Sequence, residues 1–218
     1  MTENDTVILY YSHLSGDWPD ERAALFQRTL PYAKRLATDA QEIEGRRTLV
    51  GVSLARRALT ALLGRDVPAR EFAFPDGRKP HVPGAPDFSI AHSGLWVGCA
   101  AVAMGRIGFD VEIEQAGIEQ TVRLLCTPEE ASTLTPQSAL ARWVATEAAL
   151  KAFGASVREA PQVEFRAGRA SQPAEAFFRG EPLHGTPVDA FEGAAACVMT
   201  SRPVRAVELH RVPLENLF

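Results

Sequence analysis

The spacing of apolar residues changes along the chain, and this change predicts its first elements. The run from Thr6 to Tyr11 is β-branched and aromatic, which is typical of a strand. Residues 20–43, with a break near Pro31, and residues 46–63 instead carry apolar residues at helical spacing, and the second stretch stops at Gly64. The chain is therefore predicted to begin with a strand followed by helices.

The middle of the chain predicts strands separated by turns. Phe88–His92 and residues 95–103 have strand composition, and a turn signal follows at residues 104–106. The segment Ile107–Ile113 is then predicted to return as the second strand of a hairpin with residues 95–103. We place the boundary between two halves at this turn, which divides the chain into residues 1–104 and 105–218.

Two helix starts follow in the second half. Thr127 and Thr135 are each followed by proline, which is typical of a helix N-cap and first helical position. The second helix is predicted to run from Pro136 to Phe153 and to end at Gly154. The remaining residues, 162–210, read as short strands.

Composition and charge exclude several classes of protein. The 218 residues are 46% hydrophobic and 23% charged, as in a globular protein and unlike collagen-like, disordered or transmembrane chains. The formal net charge of −4 argues against a nucleic-acid partner. Local basic pairs such as Arg46-Arg47 and Arg78-Lys79 still suit a small polyanionic ligand.

The same composition predicts a cytoplasmic protein without a membrane partner. The acidic start Met1-Thr-Glu-Asn-Asp5 lacks the features of a secretory signal. The longest apolar stretch, Trp96–Met104, is too short to span a bilayer. The three cysteines are far apart and form no C-x-x-C pair, which favours reduced thiols.

Two acidic residues in one predicted strand are candidates for a functional site. In Gly108-Phe-Asp-Val-Glu112, the two-residue period of a strand directs Asp110 and Glu112 to one face. Two neighbouring carboxylates repel each other and are usually relieved by a proton, a basic group or a divalent cation. A solvated acidic edge explains this segment equally well.

The predicted helix 136–153 adds a third carboxylate. Glu147 and Lys151 fall in one stripe with the apolar Leu140 and Val144. A Glu and a Lys at this spacing ordinarily form a surface ion pair. Their place on an apolar face instead indicates a site.

The residue types in these segments restrict the chemistry. Three carboxylates without histidine or cysteine suit Mg²⁺ better than zinc. Arg47, Lys79 and His92 are candidates for holding phosphates, since no glycine-rich phosphate loop occurs in the sequence. The H-E-x-x-H and G-x-S-x-G signatures are absent. For Ser89 and Ser93, beside His92, a structural hydrogen bond is the favoured interpretation over a nucleophile.

Four segments together resemble the motif series of the 4'-phosphopantetheinyl transferases. Their order and spacing match that superfamily, and the chain length is closer to its longer, monomeric surfactin-synthetase-activating class. Arg46-Arg-Thr-Leu-Val-Gly51 also resembles the upstream coenzyme A motif of that class. The four segments are Gly77–Pro80, Phe88–Gly94, Gly108–Glu112 and Trp143–Lys151.

The resemblance implies a fold, a reaction and partners. The implied fold is α+β, with two similar α+β halves related by a pseudo-twofold axis and with coenzyme A and Mg²⁺ bound between them. The implied reaction transfers 4'-phosphopantetheine from coenzyme A to a serine of an apo acyl or peptidyl carrier protein, releasing 3',5'-adenosine bisphosphate. Mn²⁺ is a possible substitute for Mg²⁺, and a monomer suffices. A short similarity between residues 94–102 and 192–199 fits such a duplication or, alternatively, two unrelated buried strands.

The resemblance also implies a role for each candidate residue. Asp110, Glu112 and Glu147 match the metal-binding carboxylates, and Glu147 is in addition the candidate proton acceptor. Lys151 matches a lysine that contacts the phosphates. Arg47, Lys79 and His92 match coenzyme A contacts, whereas Arg65, Arg70 and Arg78 are candidates for a basic surface that docks the carrier.

Two positions depart from the motif pattern, and two other functions compete. Thr146 stands where the superfamily often has lysine, and Gly154-Ala-Ser156 replaces a commoner glycine-rich turn. The competing functions are a non-catalytic relative that binds coenzyme A or a carrier, and a Mg²⁺-dependent phosphohydrolase that uses the same carboxylates.

Overall fold

The protein contains helices and sheets in two compact units. The computed structural model describes residues 6–76, 79–166 and 175–218. Three sequence features fall outside these ranges. They are the polar segment Met1–Asp5, the first two residues of the motif Gly77–Pro80, and the docking candidate Arg78. Unit 1 comprises Met1–Met104 and Arg205–Phe218, and unit 2 comprises Gly105–Val204.

The described residues form nine strands and six α-helices, together with short 3-10 segments. The strands are β1 (Thr6–His13), β2 (Asp87–Ser93), β3 (Trp96–Val102), β4 (Ile107–Ile113), β5 (Val163–Phe165), β6 (Ala176–Phe178), β7 (Glu181–Pro187), β8 (Ala194–Thr200) and β9 (Ala206–Arg211). The helices are α1 (Asp20–Gln27), α2 (Tyr32–Leu36), α3 (Ile43–Leu63), α4 (Ile118–Arg123), α5 (Pro128–Thr133) and α6 (Pro136–Phe153). The predicted α+β class is confirmed.

Unit 1 is a four-stranded sheet with a long helix on one face. The strand order is β2-β3-β1-β9, in which β1 runs antiparallel to β3 and parallel to β9. Leu49, Val52 and Leu59 of α3 are buried in the apolar core of this unit. Gly51 lets α3 approach the sheet, because a Cβ at this position would lie 2.7 Å from a methyl group of Ile90.

The last residues of the chain, Arg205–Phe218, belong to unit 1, although a boundary at the turn 104–106 predicts that they lie in the second half. Strand β9 pairs with β1, and the following segment is held by α3. The hydroxyl of Ser53 donates to the carbonyl of Leu217, and Arg57 donates to the carbonyl of Asn216. This parallel pairing joins the two ends of the described chain, and no local sequence pattern predicts it.

Unit 2 is a five-stranded antiparallel sheet with the order β4-β8-β7-β6-β5. Helix α6 packs on this sheet. Val144 and Ala148 of the helix share a core with Phe178, Leu183 and Met199 of the strands, and all five are fully buried.

The predicted hairpin between residues 95–103 and 107–113 is wrong. Strand β3 forms its hairpin with the preceding β2, and Gly94 adopts a left-handed φ of 55° in the turn. Strand β4 pairs with β8 in a different sheet. The turn signal at residues 104–106 is real, but turn chemistry does not determine which strand becomes the partner.

Two helix starts and two helix ends agree with the prediction, whereas residues 20–43 contain the two short helices α1 and α2, and α3 begins at Ile43 instead of residue 46. Thr127 and Thr135 both accept a backbone hydrogen bond as N-caps and complete capping boxes. Gly154 ends α6 in the left-handed conformation, as Gly64 ends α3. These signals are local, which explains why the sequence predicts them.

The similarity between residues 94–102 and 192–199 falls on β3 and β8, which are both interior strands of their sheets. The pseudo-twofold relation between the halves stays a prediction. All three cysteines are free thiols. Among the helices in the described ranges, none has the length and apolarity needed to cross a membrane.

Close packing of β4 against α6 depends on Gly108. A Cβ at this position would lie 1.8 Å from the carbonyl oxygen of Ala148 and 2.6 Å from the amide nitrogen of Ala152. Both atoms belong to the helix backbone, so no side-chain rotation relieves the overlap. Helix α6 can therefore approach β4 this closely only because the residue at position 108 has no side chain.

We predict that Gly108→Ala lowers the free energy of unfolding by about 3 kcal/mol, the upper end of the usual cost of overpacking. Chemical denaturation measures this change. Gly193→Ala is the control, because Gly193 has open space around it and a φ of 72°. Only backbone strain of about 1–2 kcal/mol is expected there. Equal effects of the two substitutions would show that the β4–α6 contact is looser than described.

Candidate functional site

Asp110 lies in the middle of β4 and is 1% exposed. Its Oδ1 accepts a hydrogen bond of 2.5 Å from the ammonium of Lys151. Among the described residues, no group donates a hydrogen bond to Oδ2, although this oxygen is also buried. A solvated acidic edge is therefore excluded for Asp110, since a carboxylate buried in this way needs a compensating charge.

Glu147 and Lys151 lie one turn apart on α6, as predicted. The three residues between them, 148–150, are buried, whereas the side chains of Glu147 and Lys151 are 22% and 32% exposed. The ammonium of Lys151 lies 3.8 Å from Glu147 Oε2 in addition to its contact with Asp110. This arrangement differs from an ordinary surface ion pair, because one lysine links carboxylates of two packed elements.

The structure brings the three predicted carboxylates together. One oxygen each from Asp110, Glu112 and Glu147 lie within 4.8 Å of one another. An all-carboxylate group of this size suits a hard divalent cation such as Mg²⁺. The buried Oδ2 of Asp110 fits a ligand atom of such an ion, since it has no hydrogen bond within the described part of the chain.

Burial controls the protonation of Asp110. Removal of the carboxyl group from water raises its pKa to about 7, and the nearby Glu147 and Glu112 act in the same direction. Lys151 acts in the opposite direction but does not cancel the effect of burial. A cation that binds to this group must therefore compete with a proton near neutral pH.

Glu112 borders an open cleft of about 330 Å³. The side-chain amide of Gln115 donates a 3.0 Å hydrogen bond to Glu112 Oε2 and orients this carboxylate. Trp143 and Glu147 of α6 also line the cleft, together with residues at the start of α4. The carboxylate group is thus reachable by a small molecule, although Asp110 itself is buried.

Thr146 precedes Glu147 but faces the interior. It is 2% exposed, and its hydroxyl donates to the carbonyl of Arg142 one turn earlier. A lysine at this position would place its charge among buried residues of α6. The threonine therefore suits the packing of this helix.

Two of the predicted phosphate contacts meet at one acidic residue in unit 1. Glu44 accepts a hydrogen bond from Arg47, whose other terminal nitrogen donates to the carbonyl of Gly94. His92 Nε2 lies 4.0 Å from the same carboxylate. The start of α3 and the end of β2 therefore bring Arg47 and His92 together.

Lys79 precedes β2 in the chain and contacts the first residue of this strand, Asp87. Its ammonium donates to Asp87 Oδ2 over 2.7 Å, and its side chain is only 15% exposed. Asp87 and His92 are separated by about 16 Å along the strand, given a rise of about 3.3 Å per residue. A single ligand must be extended to contact both Lys79 and His92.

Other predicted residues have simpler surroundings. Ser89 and Ser93 are 1% and 5% exposed within β2, which favours a structural role over a nucleophile. Arg65 and Arg70 are exposed, and Arg65 lies 3.8 Å from Glu71.

Sequence reasoning missed the residues that hold the candidate side chains in place. Glu44, Asp87 and Gln115 each contact a predicted site residue. Glu44 and Gln115 lie only three residues from their partners, so their spacing was a usable signal. Asp87 contacts Lys79 across a turn-rich segment and left no comparable pattern.

A comparison with known proteins supports the resemblance to the phosphopantetheinyl transferases. The chain is 36% identical over 93 residues to a protein of Bacillus subtilis named 4'-phosphopantetheinyl transferase. The match covers 42% of this chain and 41% of the relative, so the chain spans about two fifths of the relative's length. No protein-family model matches the chain.

The raised pKa of Asp110 predicts how stability depends on pH. The folded protein binds a proton at Asp110 up to about pH 7, whereas the unfolded chain releases this proton near 3.8, the ordinary pKa of an aspartate. Protonation of Asp110 therefore stabilises the folded state in full below pH 3.8, and this stabilisation is lost as the pH rises through 7. In metal-free buffer, the wild type should lose stability relative to Asp110→Asn between pH 4 and 7. Parallel stability curves from urea unfolding would contradict the assignment.

Proposed function

We propose that this protein transfers the 4'-phosphopantetheine group of coenzyme A to a serine of an apo acyl or peptidyl carrier protein and releases 3',5'-adenosine bisphosphate. The observation that carries the proposal is the group Asp110, Glu112 and Glu147, with a buried carboxylate oxygen and a lysine directed at it. The similarity to a bacterial phosphopantetheinyl transferase supports this choice. We assign the chain to the surfactin-synthetase-activating class on its length and motif order.

The carboxylates of Asp110, Glu112 and Glu147 would hold Mg²⁺, or Mn²⁺ in its place. When bound, such an ion aligns the pyrophosphate and offsets the negative charge on the leaving group. Gln115 keeps Glu112 oriented through its hydrogen bond. Gly108 keeps Asp110 near Glu147 and Lys151, because it allows β4 and α6 to pack closely.

Glu147 and Lys151 would act on the reacting groups. The carrier serine forms a new oxygen–phosphorus bond at the β-phosphate, and the bond to the bisphosphate leaving group breaks. Glu147, which is partly exposed beside the cleft, accepts the serine proton. Lys151 contacts the phosphates and neutralises charge, so that catalysis rests mainly on position and electrostatics.

Arg47, Lys79 and His92 would contact coenzyme A. Each already has an acidic neighbour, Glu44 or Asp87, that phosphate groups would replace or join. The separation of Lys79 from His92 along β2 suits an extended ligand with phosphates at more than one position. We further propose that residues 1–104 supply these contacts and residues 105–218 the catalytic carboxylates.

The proposed partner is a carrier protein that docks on exposed basic residues such as Arg65 and Arg70. The net charge of −4 argues against a nucleic-acid partner. We propose a cytoplasmic monomer without a membrane partner.

Mass spectrometry of intact protein tests the function. An apo carrier is incubated with this protein, coenzyme A and Mg²⁺, with EDTA in a parallel sample. A carrier that gains one phosphopantetheine only when metal is present supports the transferase. Absence of the gain across acyl and peptidyl carriers favours the binding-only function, whereas free phosphopantetheine in solution favours the phosphohydrolase.

Glu112→Gln should lower the rate of transfer by about a hundredfold or more, because the substitution removes one anionic ligand and retains the shape of the side chain. Radiolabel or mass-spectrometric transfer rates at saturating coenzyme A measure the loss. Glu114→Gln is the matched control, since Glu114 is exposed and only two residues away. A similar loss in both variants would indicate a general charge effect in place of a ligand role.

Lys79→Ala should raise the KM for coenzyme A by about tenfold with little change in kcat, since it removes a contact made before and during the reaction. Steady-state kinetics with varied coenzyme A separates the two constants. The control is Lys34→Ala, which removes the same charge from an ammonium that lies over the ring of Phe74. An unchanged KM would remove Lys79 from the binding site.

A further inference from the structure

Lys151 occupies an unusual position among the three carboxylates. Its ammonium lies 2.5 Å from Asp110 Oδ1 and 3.8 Å from Glu147 Oε2, so it already contacts two of the three proposed metal ligands. The third, Glu112, has its own donor in Gln115. The carboxylate group is therefore held by a lysine and an amide of the chain itself.

Electrostatics explains why a cation is needed at this position. Carboxylate oxygens within 4.8 Å of one another repel, and Asp110 is almost completely removed from water. Lys151 supplies the only ammonium among the described ion pairs of Asp110, while its own side chain remains 32% exposed and can reach solvent. The same lysine is the proposed contact for the phosphates of coenzyme A, so two roles compete for one side chain.

We propose that Lys151 is an internal cation that holds Asp110 and Glu147 together until a divalent ion binds, and that it then leaves Asp110 for the phosphates of the donor. The second step rests on the proposed function, whereas the first rests on the geometry of the carboxylate group alone. Binding of the metal thereby releases Lys151 to contact the phosphates of coenzyme A. Lys151 is then a positioning residue before metal binding and a phosphate contact afterwards.

Two simpler roles lead to different measurements. A purely structural ion pair stabilises the protein equally with and without metal. A lysine that only repels the metal weakens metal binding without stabilising the metal-free protein. The proposed internal cation does both, because the ammonium and the divalent ion use the same carboxylates in turn.

The test compares wild type, Lys151→Met and the control Lys34→Met at pH 8. In EDTA, Lys151→Met should lower the Tm by about 5 °C, as expected for a chain of this size that loses a partly buried ion pair. With saturating Mn²⁺ the difference should shrink to about 1 °C. Electron paramagnetic resonance of free Mn²⁺ should show about tenfold tighter binding by Lys151→Met than by wild type. Lys34→Met should bind Mn²⁺ as the wild type does.

Several results would overturn the proposal. An equal loss of Tm in EDTA and in Mn²⁺ indicates a structural ion pair only. Unchanged stability in EDTA, or unchanged Mn²⁺ affinity, removes the internal cation. Failure of wild type to bind Mn²⁺ at all would also remove the metal site of the proposed function. If the wild type binds Mn²⁺ and transfers phosphopantetheine but Lys151→Met does not show the expected changes, only the proposed role of Lys151 is contradicted.

A second variant keeps the test decisive if Lys151→Met does not fold in EDTA. Asp110→Asn removes the buried negative charge, so the double variant Asp110→Asn/Lys151→Met should fold in EDTA with a Tm near that of Asp110→Asn alone. A double variant as unstable as Lys151→Met would show that Lys151 stabilises the protein through contacts other than Asp110.

Discussion

The contact between β4 and α6 at Gly108 is the constraint on which the candidate site depends. The helix backbone lies so near the strand that a Cβ has no room, and this proximity places Asp110 opposite Glu147 and Lys151. Neither element forms the site alone, because the strand supplies two carboxylates and the helix supplies one carboxylate and a lysine. A shift of about 1 Å between them would separate groups whose function requires close approach.

The electrostatics of this arrangement is costly for a stable fold and favourable for a ligand site. A buried carboxylate with one oxygen lacking a hydrogen bond in the described structure is rarely retained for stability alone. Its raised pKa reflects the same cost. The apolar core beneath α6, built from residues such as Val144, Phe178 and Met199, supplies the stability that tolerates it. One face of α6 thus contributes to the candidate site, and another face of the same helix packs in the apolar core.

The basic candidate residues of unit 1 are paired with acidic neighbours, just as two carboxylates of unit 2 are paired with a lysine. Arg47 and His92 meet Glu44, and Lys79 meets Asp87, so each basic side chain is held by an acidic neighbour. Such pairing orients the side chains before a ligand arrives and lowers the cost of ordering them. The proposed phosphates would then replace one set of negative charges with another.

The elements with local signals are predictable from the sequence alone. The capping residues Thr127 and Thr135, and Gly154 at the end of α6, fixed the helices, and the two-residue period placed Asp110 and Glu112 together. The tertiary fold determines which strands pair, which explains why the hairpin predicted for β4 is wrong and why residues 205–218 belong to unit 1. The tertiary fold also buries Asp110 and brings it into contact with Lys151, 41 residues away. Pairing and burial depend on contacts between distant segments, whose free energies are not encoded in any short stretch of sequence.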